Sequence, residues 1–171
     1  MNFQELNKQR KIALVCSALG IIACLLPWYS YGFGSINGLN GMGVLVFILF
    51  IFSGILSYAG DQKTNLPSTS WLLVLTSGLI CFLIPGYYIV RILSASSSIG
   101  NEEAGVFKSL YGSGFGLGVG IWIACAAGAI IAAGTYLLRS KNDNLKDSFN
   151  TLKNSVGQAV KTPSDGDRPS N

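Results

Sequence analysis

The chain has 171 residues, of which half are apolar and 12% are charged, and it contains no histidine. Soluble domains carry about 25% charged residues, and with a mean hydropathy of +0.46 this chain lacks the polar surface to cover a soluble globule; its composition predicts a membrane protein. Without imidazole, the usual ligand, base and proton carrier of zinc, triad and pH-switch chemistry is missing.

The apolar runs set the expected architecture, because a hydrocarbon core of about 30 Å takes about 20 helical residues. After a basic tail over 1–11, the first run covers 12–31 and the second 41–59; the third covers 71–90 and the fourth 115–138. None contains Asp, Glu, Lys or Arg. Their apolarity is continuous, which argues for helices and against strands. The expected fold is all-α: a polytopic integral membrane protein with four transmembrane helices in two tandem hairpins over 12–138. A cytoplasmic tail over 139–171 follows. A signal peptide ending at Cys24 is the rival reading of the start, but the residues after Cys24 stay apolar, unlike the polar opening of a mature lipoprotein.

Lys and Arg number three before the first run, none in the first loop, one in the second, two in the third and six after the fourth run. The positive-inside rule then puts both tails in the cytoplasm. Trp28, Tyr29, Tyr31, Tyr87, Tyr88 and Tyr111 fall where an outer aromatic belt is expected, and Tyr58, Trp71 and Tyr136 where an inner one is.

The two hairpins align. Gly20, Pro27 and Tyr29 match Gly78, Pro85 and Tyr87 at an offset of 58, and Gly41, Gly43 and Val44 match Gly116, Gly118 and Val119 at an offset of 75. This reads as a duplication with parallel copies, related by an axis along the membrane normal. Each copy is expected to be a helix kinked at its proline (Pro27, Pro85), a Gly-rich outer loop, and a second helix.

Small residues recur every four positions through the fourth run: Gly112, Gly116, Gly120, Ala124, Gly128 and Ala132. Such a stripe lets helices approach closely. Packing on the chain's own first or third helix is the expected use, ahead of contact between copies or a pore lining. Cys16, Gly20 and Cys24 form a shorter stripe expected to face it. All four cysteines lie inside runs, so they read as small packing residues, not as disulfides or metal ligands. At membrane depth the polar atoms are only the hydroxyls of Ser17, Ser53, Ser57, Thr76, Ser77 and Thr135. Those can bond preceding helical carbonyls, which leaves little for ion coupling or acid–base catalysis.

In the tail, Leu145, Phe149, Leu152, Val156 and Val160 share one face of an expected amphipathic helix over about 143–161, flanked by Lys146, Lys153 and Lys161. Such a helix lies on the anionic inner leaflet or docks in a partner's groove. Residues 162–171 read as a disordered end.

Leu26-Pro27-Trp28, then Asn37-Gly38-Leu39-Asn40-Gly41-Met42-Gly43, then Gly116-Leu117-Gly118 with Ile121, resemble a loose group of small bacterial four-span membrane proteins. Their pattern is an L-P-W closing the first span, an N-G-x-x-G-x-G opening the second and a Gly-rich opening of the last. Many members carry a zinc ribbon before the first span; residues 1–11 here contain no cysteine. The resemblance covers about 12–138 and implies a bacterial plasma membrane and no activity.

The function expected from these readings is non-enzymatic: an accessory or scaffold subunit that acts by contact. The alternatives are a small oligomeric channel and an immunity protein against a membrane-active toxin. No cofactor, metal or nucleic acid is expected. The expected partners are the lipid bilayer and either a membrane-protein partner or a second copy of the chain.

Overall fold

The computed structural model describes residues 6–31, 34–61, 63–98, 116–139 and 145–160. Among the described residues the fold is mostly helical, with five helices and one small sheet. In chain order these are α1 (Lys8–Leu25), β1 (Pro27–Tyr31), β2 (Gly34–Asn37), α2 (Gly43–Tyr58), α3 (Ser68–Ser98), β3 (Gly116–Leu117), α4 (Val119–Leu137) and α5 (Leu145–Val160).

Each boundary has a local cause. Asn7 caps α1, its side chain accepting from the Gln9 N–H at 3.0 Å. α1 stops at Leu25 because Pro27 disfavours helical backbone at Leu26, which is extended at φ −76°, ψ 160°. Gly60 follows the end of α2 at φ 84°, a left-handed conformation that a side chain would resist. α3 starts just after Pro67, and Pro85 stands inside it.

The first run was expected to be helical throughout 12–31, and the structure corrects this. Its last five residues form a strand, so Pro27 ends a helix and opens β1; it kinks nothing. The aromatic and hydroxyl residues after it favour pleated backbone, and β1 gains partners on both sides in the order β2-β1-β3, all antiparallel. The start of the fourth run is likewise strand, at Gly116–Leu117, so its helix begins only at Val119. Pairing gives the inner strand β1 neighbours on both sides at Tyr29 and Ser30, while β2 and β3 are the edges of the open sheet.

α3 and α4 are each long and apolar enough to cross a membrane. α2 is apolar but has 16 residues, and α1 opens with a charged turn. The four bundle helices close into a ring in which α1 touches α2 and α4, and α3 touches the same two. One end of the ring carries the sheet; the other gathers the starts of α1 and α3 and the ends of α2 and α4. Small residues let the helices meet. The Phe50 ring fills the notch at Gly20, where a Cβ would lie 2.4 Å from it, and Ile131 does the same at Gly78. These two glycines match in the sequence repeat, and each receives the second helix of its own hairpin.

Candidate functional site

No helix of the bundle hides its apolar side chains completely. Leu19 and Ile22 on α1, Ile48 and Ile55 on α2, Leu79 and Leu83 on α3, and Trp122 and Ile130 on α4 all face outward and are exposed. Inside, the ring is filled by Ala13, Ala23, Val46, Phe50, Val74, Ile121, Ala124 and Ile131. Within the ring the polar side chains are the buried hydroxyls of Ser17, Ser53 and Ser77, and the larger polar groups lie at the two ends and on α5.

The end bearing the starts of α1 and α3 is organised by two consecutive side chains. Arg10 is 1% exposed, and its guanidinium donates to three carbonyls. Nε–H reaches Thr64 O at 3.0 Å, and the Nη1 group reaches Ser57 O at 3.1 Å and Ala59 O. Ser57 and Ala59 lie at the end of α2, where carbonyls lack helical partners and the helix dipole favours a cation. Burial pulls the pKa of Arg10, which precedes the apolar stretch of α1, below its ordinary value, and the charge of Asp61 opposes that shift. Gln9 works beside it, donating through Nε2–H to Thr135 O at 3.0 Å and accepting from the Leu66 N–H at 3.1 Å. The Trp71 indole N–H donates to the same Thr135 carbonyl at 2.8 Å.

At the sheet end one side chain does the equivalent task. Pro27 has no N–H, so the carbonyl of Ala23, four residues earlier, loses its helical donor. The Trp28 indole N–H takes that place at 3.1 Å. Trp28 can reach because it is the bulged residue between the paired Pro27 and Tyr29, and a bulge re-aims its side chain. Trp28 is 2% exposed and Trp71 is 0% exposed. Both therefore lie inside the protein and outside the aromatic belts in which the sequence placed them; Tyr58, Tyr87 and Tyr136 are exposed.

The small-residue stripe is shared between two neighbours. Gly112 lies outside the described residues, and Gly116 is in β3 with open space around it. Gly120 meets the carbonyls of Ala23, Leu26 and Pro27, whereas Gly128 meets the backbone of Cys81 and Phe82 on α3. Ala124 is buried, and Ala132 sits half-buried against Gly78. Gly20 of the shorter Cys16–Gly20–Cys24 stripe faces Phe50 of α2 and not the α4 stripe. Cys16 and Cys24 are buried, and all four thiols are free. Among the described residues no three metal-ligating side chains come together.

No known family model, curated protein or solved structure matches the chain.

α5 packs on α3. Leu152 is the side chain of its expected face that reaches the core, joined by the buried Ser148. Phe149 and Val156 of the same face are exposed; the side chains of Leu145 and Val160 lie outside the described set. Sequence periodicity found this helix but could not divide its face. It also missed Gln9 and Arg10, which it counted as tail. The signal available was an Arg next to an amide at the mouth of an apolar helix, opposite another helix's unsatisfied end.

Proposed function

We propose that the chain is a four-span membrane protein, with both tails in the cytoplasm, that acts by contact as an accessory or scaffold subunit of a membrane complex. The observation that carries the spanning reading is the outward apolar face on all four ring helices, the arrangement expected where the surroundings are lipid. At 1.5 Å per residue, α1 and α2 reach about 27 Å and about 24 Å, and the paired strands β1 and β2 extend the first hairpin beyond the helices. The basic tails fit a cytoplasmic location, and the resemblance in the first hairpin points to a bacterial plasma membrane.

Contact is favoured over catalysis because the buried Arg10, Gln9 and Trp71 side chains are engaged in closing helix ends, and among the described residues the buried polar atoms left without a partner are hydroxyls, on Ser17, Tyr29, Ser53, Thr135 and Ser148. It is favoured over an oligomeric channel because Gly120 and Gly128, on which several copies would have to pack, already meet the chain's own backbone. The test is purification in mild detergent of the full chain beside one truncated after Lys141, followed by mass spectrometry. A second protein that accompanies the full chain and is lost on truncation is the expected result. If both forms run as the same homo-oligomer with nothing bound, contact through the tail is wrong.

A further inference from the structure

The apolar side of α5 is divided between two surroundings. At about 100° per residue, Ser148 and Leu152 fall on one edge of that side, Val156 and Phe149 come next, and Lys153 and Lys146 close the far edge. The first edge belongs to the bundle, since Ser148 is buried and Leu152 packs on the core. Phe149 and Val156 remain 60% and 54% exposed, and both lysines are exposed. Asp147, Asn150, Asn154 and Gln158 point the opposite way.

The location of α5 matters as much as its composition. The Trp71 to Thr135 hydrogen bond brings the first turn of α3 to the last turn of α4. α5 begins only a few residues after α4 ends and packs on α3. It therefore lies at this end of the bundle, against α3. A protein groove that accepts a helix surrounds its apolar arc, but one edge of this arc, at Ser148 and Leu152, is already taken by the bundle. What remains is a narrow apolar strip edged by two cations and no acid, which fits a flat anionic surface.

We propose that α5 lies on anionic lipid beside this end of the bundle, with Phe149 and Val156 among the acyl chains and Lys146 and Lys153 on lipid phosphates. The proposal rests on the membrane-spanning reading above. It leaves the Asn150, Asn154 and Gln158 side facing the cytoplasm.

The test uses the full chain in lipid nanodiscs, either phosphatidylcholine alone or phosphatidylcholine and phosphatidylglycerol in equal parts. Phe149→Cys and, on the opposite side, Asn154→Cys are labelled with a water-soluble maleimide. Cys16, Cys24 and Cys81 are buried and Cys125 is half-buried, so the unsubstituted chain gives the background rate. In anionic discs Phe149→Cys is expected to react about ten-fold more slowly than Asn154→Cys, a protection equivalent to about 1.4 kcal/mol. That protection should fall in neutral discs and on adding Lys146→Glu and Lys153→Glu. Equal labelling at the two positions in anionic discs overturns the proposal. So does protection that appears only when a co-purified protein is present, which would make the occupant a protein groove. Equal protection in neutral and anionic discs overturns the lysine–phosphate half. Release of the chain from membranes by carbonate sinks the spanning reading itself, and is seen before any labelling.

Discussion

The two ends of the bundle solve one problem by different routes. Helix ends leave carbonyls without partners, and in a low-dielectric setting each such group costs free energy unless something donates to it. At the sheet end the donor is local: Trp28 returns to Ala23, five residues earlier. At the other end the donors are remote. Arg10 reaches Ser57 and Ala59 across 47 and 49 residues of chain, and Gln9 reaches Thr135 across 126. The Trp28 closure is made next to its own helix end, the Arg10 closure needs α2 packed on α1 in the same hairpin, and the Gln9 closure needs α4 against α1, so it forms only when the two hairpins have met. Both ends therefore join the two hairpins, the far end through Gln9 and Thr135 and the sheet end through the pairing of β1 with β3.

The largest effect should follow from removing the remote donor that serves three carbonyls. Arg10→Ala leaves Ser57 O without its guanidinium partner in a buried site, and Ala59 O and Thr64 O in part-buried ones. At about 1.5–3 kcal/mol for a hydrogen bond to a charged group, a loss of at least 3 kcal/mol is expected, read as a lower unfolding midpoint in detergent. Arg10→Lys keeps the charge but not the planar fork, so it should recover only part of the loss. If Arg10→Ala melts with the native chain, the guanidinium does not hold the end of α2 against α1.

At the sheet end the comparable weakness is steric. A Cβ on Gly118 would lie 2.1 Å from the Pro27 carbonyl oxygen, and backbone on both sides leaves little room to yield. Gly118→Ala is expected to cost about 2–3 kcal/mol through overpacking. Gly116→Ala, two residues away and with nothing within 4 Å, is the internal control and should leave the midpoint unchanged. Equal effects at the two positions would mean that β3 does not hold α4 against Pro27.

How far this was legible in the sequence follows the same division. The apolar runs located the four bundle helices, and tail periodicity located α5, because hydropathy and helical spacing are properties of neighbouring residues. The strands were missed because Trp28, Tyr29 and Ser30 look the same to a hydropathy window whether they continue a helix or pair with residues 34–37 and 116–117. Pro27 and Pro85 were treated as equivalent, yet one ends a helix and the other stays inside one. What separates them is strand pairing after Pro27 and the continued apolar helix after Pro85, and the second outcome is a tertiary fact. The remote closures were illegible for a stronger reason. Nothing adjacent to Arg10 says that the end of α2 will arrive beside it, so the residue was counted as a topological charge.

The indole pair gives a smaller but cleaner comparison. Trp28→Phe and Trp71→Phe both shrink a buried ring and delete one N–H donor. Thr135 O keeps Gln9 as a second donor, whereas Ala23 O has already lost its helical donor to Pro27. Trp28→Phe should therefore cost about 2 kcal/mol and Trp71→Phe about 1 kcal/mol, the range between an orphaned carbonyl and one lost bond among two. In a Gln9→Leu background the cost of Trp71→Phe should rise to match that of Trp28→Phe if the shared carbonyl is the reason, and thermal midpoints of the two variants against their parents in each background decide it.

The smallest effect is expected on the outermost layer of the remote end, where α5 adds to the ring without closing it. Phe149 is 60% exposed, so Phe149→Ala in detergent should stay within about 0.5 kcal/mol of the native chain. Leu152 packs on the core, and Leu152→Ala should loosen α5, seen as faster amide exchange over 145–160 with the ring helices unchanged. A change of the same size at Phe149 would show that the whole apolar side of α5 is docked on protein. That outcome would erase the split between a bundle-facing and a free edge, and with it the case for lipid beneath the tail. If only Leu152→Ala acts, the exchange rate of α5 reports docking at one edge alone, and the other edge remains free to meet the membrane surface.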